Sequence, residues 1–216
     1  MDFNSPVGMD SRVVRESKHN GQPARVVSGS RVYAAELADL WGAVTSAERI
    51  PHWFLPITGE LKLGGRYQLK GHAGGEITRC DPPEALDITW ECQDNVSWVT
   101  LRFEPLEKPG ESETRLTLAH AMSKDEAGEK HWKQYGPGAT GVGWELAFLG
   151  LGMHLDSGEA VDQAESQAWM ATEPGKVFIR RCADAWGAAH VSSGAAVEVA
   201  SEMATATAQA YCGEAS

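Results

Sequence analysis

The side chains in this 216-residue sequence that could do chemistry are a few histidines, a set of aromatics and one carboxylate inside an apolar run. His120 closes an alternating segment in which Leu116, Leu118 and His120 share one strand face, so the imidazole points inward. An inward histidine either hydrogen-bonds to backbone or to a Trp indole, or offers a ligand carbonyl or carboxylate a partner. There are eight tryptophans against five phenylalanines and four tyrosines. Trp90 and Trp98 fall in strand candidates that should be neighbours, while Trp53, Tyr67 and Trp144 sit near turns and a long apolar segment. Indole and phenol combine a large apolar area with one polar atom, which suits the wall of a cavity. Trp53, Tyr67, Trp90, Trp98, His120 and Trp144 are therefore the candidate ligand-binding residues, and Trp41 is assigned to core. Glu145, directly after Trp144, is read as the partner of an arginine or as an exposed charge at a helix start.

Other chemistries find no pattern. The histidines at 19, 52, 72, 120, 131, 154 and 190 show neither H-x-x-x-H nor H-E-x-x-H spacing, so no metal is expected. The four cysteines form no C-x-x-C and are read as free thiols of a reducing cytoplasm. Cys80 and Cys92 flank a hairpin about residues 81–86, where Cys80 should pair near Asp87 and not Cys92. No G-x-S-x-G occurs. Residues 136–141 read G-x-G-x-x-G, but no strand precedes them and no second strand follows, so they make a tight turn into a helix and not a dinucleotide site. No catalytic residue and no cofactor is assigned.

The elements that must position these side chains are legible in outline. Residues 1–23 are polar and aperiodic and are read as a flexible tail. Residues 25–33 form a strand, Leu37, Leu40, Trp41 and Val44 one helical face, and Thr45 with Glu48 a capping box for a short second helix. Strands then follow over 60–63, 67–70, 76–80, 86–92, 96–103 and 113–121, with turns at Gly64-Gly65, Gly74-Gly75 and Asp81-Pro82-Pro83. Gly141–Leu155 is apolar nearly all round and is read as a buried helix. This order implies an α+β architecture: a curved antiparallel sheet wrapping one long helix, with room for a cavity between. Residues 24–155 form that domain, and residues 156–216 an Ala-rich, acidic helical extension. In the extension Phe178, Cys182, Trp186 and Ala189 make a helical stripe that docks either on its own chain or on a second copy, giving a homodimer.

Charge adds exclusions. The net charge is −11, and no basic cluster suits nucleic acid or an anionic membrane surface. No apolar run is long enough to span a bilayer, and the first residues carry no secretory h-region, so a cytoplasmic location is expected.

The segments RIPHWFLPITGELKLGGRYQLKGHAGGEITRCDPPEALDITWE, SWVTLRFEP, TRLTLAH and YGPGATGVGWELAFLGLGMHL together resemble the START-like (SRPBCC, helix-grip) superfamily. Within it they are similar to the branch of activators of Hsp90 ATPase in stand-alone bacterial form, over residues 25–155. The resemblance implies a helix-grip fold and an apolar cavity for a small hydrophobic or aromatic ligand. It implies no reaction, because the branch shares no catalytic constellation that these residues match. Two alternatives also follow from the resemblance. One is co-chaperone action on an Hsp90-type ATPase. The other is a polyketide cyclase, aromatase or hydrolase working in the same cavity, for which His120, with Tyr67 or Glu145, is the inward candidate.

Overall fold

The computed structural model describes residues 8–93, 95–108 and 110–214. Its frame is an eight-stranded antiparallel sheet built from β1 (Ser11–His19), β2 (Gln22–Tyr33), β3 (Ile57–Gly59), β4 (Arg66–Leu69), β5 (Gly74–Asp81), β6 (Ala85–Cys92), β7 (Asn95–Lys108) and β8 (Glu111–Ser123). The strand order is β1-β2-β8-β7-β6-β5-β4-β3, so the last six strands form a meander and β2 closes on β8. The helices are α1 (Leu37–Thr45), α2 (Glu126–Tyr135), α3 (Gly138–Ser157), α4 (Gln163–Met170), α5 (Glu173–Ser192) and α6 (Val197–Tyr211). This is the expected α+β helix-grip architecture. None of the described helices is long and apolar enough to cross a membrane.

Alternation decides which side chains meet α3. In β6 to β8 the inner face carries Leu86, Ile88, Trp90, Val99, Leu101, Leu116 and Leu118, each two residues from the next on its strand. β5 departs from that period. Its register shifts between Ile77, opposite Ile88, and Arg79, opposite Asp87, so one extra residue sits in the strand. The bulge lets Ile77 and Cys80, three residues apart, both face inward. Cys80 pairs with Leu86, one place from the expected partner, and all four cysteines are free.

Helix α3 is the other wall. Gly136, at φ 57°, ends α2 in a conformation that favours glycine, and α3 starts two residues later. The G-x-G-x-x-G segment is therefore a helix-to-helix turn. Gly141 lies against Trp186 of α5: a Cβ there would stand 2.2 Å from the indole. On α5 the buried stripe is Ile179, Cys182, Ala183, Trp186 and His190; it keeps the expected Cys182 and Trp186, with Phe178 and Ala189 half-buried beside it. Thr207 and Tyr211 of α6 donate to the backbone carbonyls of Tyr135 and Ala139, at 2.9 and 2.7 Å. The extension docks on its own chain and covers the side of α3 that the sheet leaves open.

Several expectations are corrected. Residues 11–19, expected in a flexible tail, form β1, paired with β2 from Ser11–Ser30 to His19–Gln22. This edge strand reads as tail because edge strands carry charge on exposed positions. Met9 is buried, and two groups near the start of the chain bind Glu145: the Met9 N–H donates at 2.6 Å and the Arg12 guanidinium at 2.6 Å. Glu145 has no exposed side-chain surface, while Arg12 keeps 19%. The expected strand over 60–63 is a loop; β3 lies at Ile57–Gly59, and Leu63 is exposed. The turn expected at Gly74-Gly75 lies earlier, and both glycines open β5. Gly75 is needed there because a Cβ would sit 2.1 Å from the Thr89 carbonyl oxygen. The cap after α1 is Ser46, whose hydroxyl accepts from the N–H of Glu48 and Arg49, while Thr45 bonds back to the Trp41 carbonyl.

Removing one member of a buried ion pair strands the other in a poor dielectric. Arg12→Ala is therefore expected to cost about 3–5 kcal/mol in urea unfolding. The double variant Arg12→Ala/Glu145→Gln should be more stable than Arg12→Ala alone, since the stranded charge is gone. A change below about 0.5 kcal/mol for Arg12→Ala, the size of a surface effect, would contradict this assignment.

Candidate functional site

Between the inner face of the sheet and α3 lies a cavity of about 110 Å³. Its floor is aliphatic, from Leu69, Ile77, Ile88, Leu101 and Leu118, and its rim is aromatic. Trp53 and Phe54 stack with centroids 5.4 Å apart, Phe54 faces Trp144 at 6.3 Å, and Trp144 meets Trp90 at 5.1 Å. The four aromatics come from three elements: Trp53 and Phe54 from the turn after α1, Trp144 from the long helix and Trp90 from β6. The short 3-10 turn Ile50–His52, with Pro51 inside it, delivers Trp53 and Phe54 to the rim.

The polar tips of Trp53, Tyr67 and Trp144 are occupied by protein. The Trp53 indole donates to the Ala43 carbonyl at 2.8 Å. The Tyr67 hydroxyl donates to the Thr89 carbonyl at 2.7 Å, and burial holds its phenol well above the ordinary range. The Trp144 indole donates to Nδ1 of His120 at 3.1 Å. Such a cavity grips by shape and dispersion and leaves little hydrogen bonding to its guest.

Of the six residues expected to line a cavity, the structure brings four together here: Trp53, Tyr67, Trp90 and Trp144. Trp98 is a correction. β6 pairs Trp90 with Ser97, so Trp98 turns to the opposite face, where it stacks on His19 at 3.7 Å. The alternation of Val99, Leu101 and Phe103 carries the signal for that parity. His120 is the second correction. It points inward and is buried, but it stands behind Trp144 and does not line the apolar cavity. Phe54 and Cys80, which do line it, were missed; Phe54 stands in the W-F-x-P segment, and Cys80 is inward only because of the bulge.

Hydrogen bonding fixes the tautomer of His120. The indole N–H of Trp144 makes Nδ1 an acceptor, so Nε2 carries the proton and donates to the Ser97 hydroxyl at 2.7 Å. Ser97 in turn donates to the Trp90 carbonyl at 3.1 Å. This order is the reverse of an activated serine, where the imidazole nitrogen must accept the hydroxyl proton. Burial alone pushes the His120 pKa down to about 4, so the ring is neutral at neutral pH. The Ser97–His120 pair is thus a structural relay. Among the described residues no cluster of His, Cys, Asp or Glu could hold a metal ion.

The depressed pKa has a consequence for stability. An unfolded histidine titrates near 6.5, so below that pH the unfolded chain takes up a proton that the folded chain refuses until about pH 4. Stability should fall as pH drops through that window, by about 3 kcal/mol from this group. Urea midpoints of the wild type and of His120→Gln, compared from pH 7 to pH 4, should converge as the pH falls. Parallel curves would contradict the buried neutral imidazole.

Residues 34–155 match the family described as Activator of Hsp90 ATPase homolog 1-like protein. The solution structure of CalU16 from Micromonospora echinospora is 29% identical, with a TM-score of 0.67 over 87% of this chain and 99% of that one. Its crystal structure gives 28% identity and a TM-score of 0.63, over 83% of this chain and 96% of that one. The likeness therefore reaches beyond residues 34–155 into the flanking elements. DynU16, a protein of the dynemicin biosynthetic locus, shares the fold at 18% identity and a TM-score of 0.50, over 62% of this chain and 48% of that one. None of the curated proteins matches.

Proposed function

We propose, for a chain that belongs to the family of activator of Hsp90 ATPase homolog 1-like proteins, that the cavity between sheet and α3 binds a small apolar or aromatic molecule without transforming it. The observation that carries this reading is the apolar cavity itself, rimmed by Trp53, Phe54, Trp90 and Trp144. Its volume is of the order of engineered protein cavities of about 150 Å³ that stay dry and accept benzene. Aromatic guests suit the rim because offset and edge-to-face contacts with indole add to simple burial. Binding without turnover is favoured by the absence of an activated nucleophile at His120 and by the occupied polar tips of Trp53, Tyr67 and Trp144.

Titration with naphthalene should quench tryptophan emission saturably at one site per chain and raise the melting temperature. Ile88→Phe narrows the cavity from the sheet side and should weaken binding about tenfold or more, while the folded chain keeps its cooperative melt. Unsaturable quenching, or affinity unchanged in Ile88→Phe, would overturn the reading.

A further inference from the structure

Two outer chambers follow in series from the Trp90 and Trp144 side of the apolar cavity. The first, about 240 Å³, shares Phe54, Trp90 and Trp144 with it. The second, about 400 Å³, meets the first at His120 and Thr140 and opens along β7, β8 and α2. The three spaces follow one another, with the Trp90 and Trp144 rings as the first partition and the His120 imidazole as the second. Their chemistry changes along the series. The inner cavity is almost wholly apolar, whereas the outermost chamber is lined by Asn95, Ser97, Ser123, Thr140 and His131. The Ser97 hydroxyl is engaged by His120 and the Trp90 carbonyl, and that of Thr140 by Met122, which leaves Asn95, Ser123 and His131 to meet a guest.

The formal charges at the outer end are spent internally. Arg25 is bound to Glu129 at 2.7 Å and to Glu16 at 3.2 Å, and its guanidinium lies 4.7 Å over the Trp132 ring. Asp125 caps α2, accepting from the Gly128 N–H at 2.8 Å. An anion entering here meets Asp125 and Glu129, and a cation competes with Arg25. What fits is an uncharged group that gives and takes hydrogen bonds.

We propose that the site is two-ended and that its ligand is an amphipathic molecule, with an aromatic ring system in the inner cavity and an uncharged hydroxyl-, ether- or amide-bearing portion in the outer chamber. This rests on the cavity reading above and adds the polarity and direction of the ligand. The apolar end enters first, past Trp90 and Trp144, and the polar end stays between β7, β8 and α2.

The test uses the full chain and three probes besides naphthalene: naphthyl ethers whose tails of equal length end in a hydroxyl, a carboxylate or an ammonium group. The hydroxyl tail should tighten binding about tenfold over naphthalene, the gain expected of one or two net hydrogen bonds. The charged tails should bring no gain. Asn95→Ala/His131→Ala, both exposed positions of the outer chamber, should abolish the gain and leave naphthalene affinity unchanged. If naphthalene binds but the hydroxyl tail adds nothing, if its gain survives the double substitution, or if a charged tail gains as much, the two-ended site is wrong and the cavity reading stands. If naphthalene does not bind, the cavity reading fails and the two-ended site with it.

Discussion

A helix that is apolar nearly all round must be covered on every side, and the remaining elements are arranged to do so for α3. The sheet supplies one cover, through the inward residues of β6 to β8. α5 and α6 supply another, with Trp186 seated against Gly141. The one charge in the middle of that helix, Glu145, is neutralised from a third side by Arg12 and the Met9 N–H. An unpaired carboxylate at zero exposure would cost several kcal/mol. The first strand and the last helices are thus as much a consequence of α3 as the sheet is.

Where the sheet and α3 do not close on each other, the cavity appears. Its aromatic wall is held by hydrogen bonds to the carbonyls of Ala43 and Thr89 and to the ring of His120. The arrangement orients large rings and engages the donors of Trp53, Tyr67 and Trp144. The same relay settles the chemistry of His120. Trp144 occupies Nδ1 and Ser97 occupies Nε2–H, so the imidazole acts as a spacer between the apolar cavity and the polar outer chamber. A buried imidazole in that position is neutral because burial penalises its charged form.

Much of this was legible in the residues. The alternation in 86–92 and 113–121, the break at Asp81-Pro82-Pro83 and the apolar run after Gly141 led directly to the inner face and the helix. Four of six proposed lining residues follow from those signals. Trp98 failed because neighbouring strands share a face only in the right register, and the turn between β6 and β7 sets Ser97, not Trp98, opposite Trp90. Cys80 failed because a bulge breaks the period of two. β1 failed because RVVRESKH is an edge strand with an exposed, charged pattern, and its value lies in one distant contact, Arg12 to Glu145. Of the two readings of Glu145, partner of an arginine or exposed charge at a helix start, the structure takes the first; which arginine depends on tertiary contacts across 133 positions of the chain.

The proposed seat of a guest is the space between the sheet and α3. Isotope-filtered NOE spectroscopy of the methyl-labelled protein with naphthalene tests it at atomic level. The account predicts cross-peaks from the naphthalene protons to the methyls of Ile77, Ile88, Leu101 and Leu118, which converge on that space. Cross-peaks confined to surface methyls such as those of Val13 or Val197, with none to the four interior residues, would contradict it.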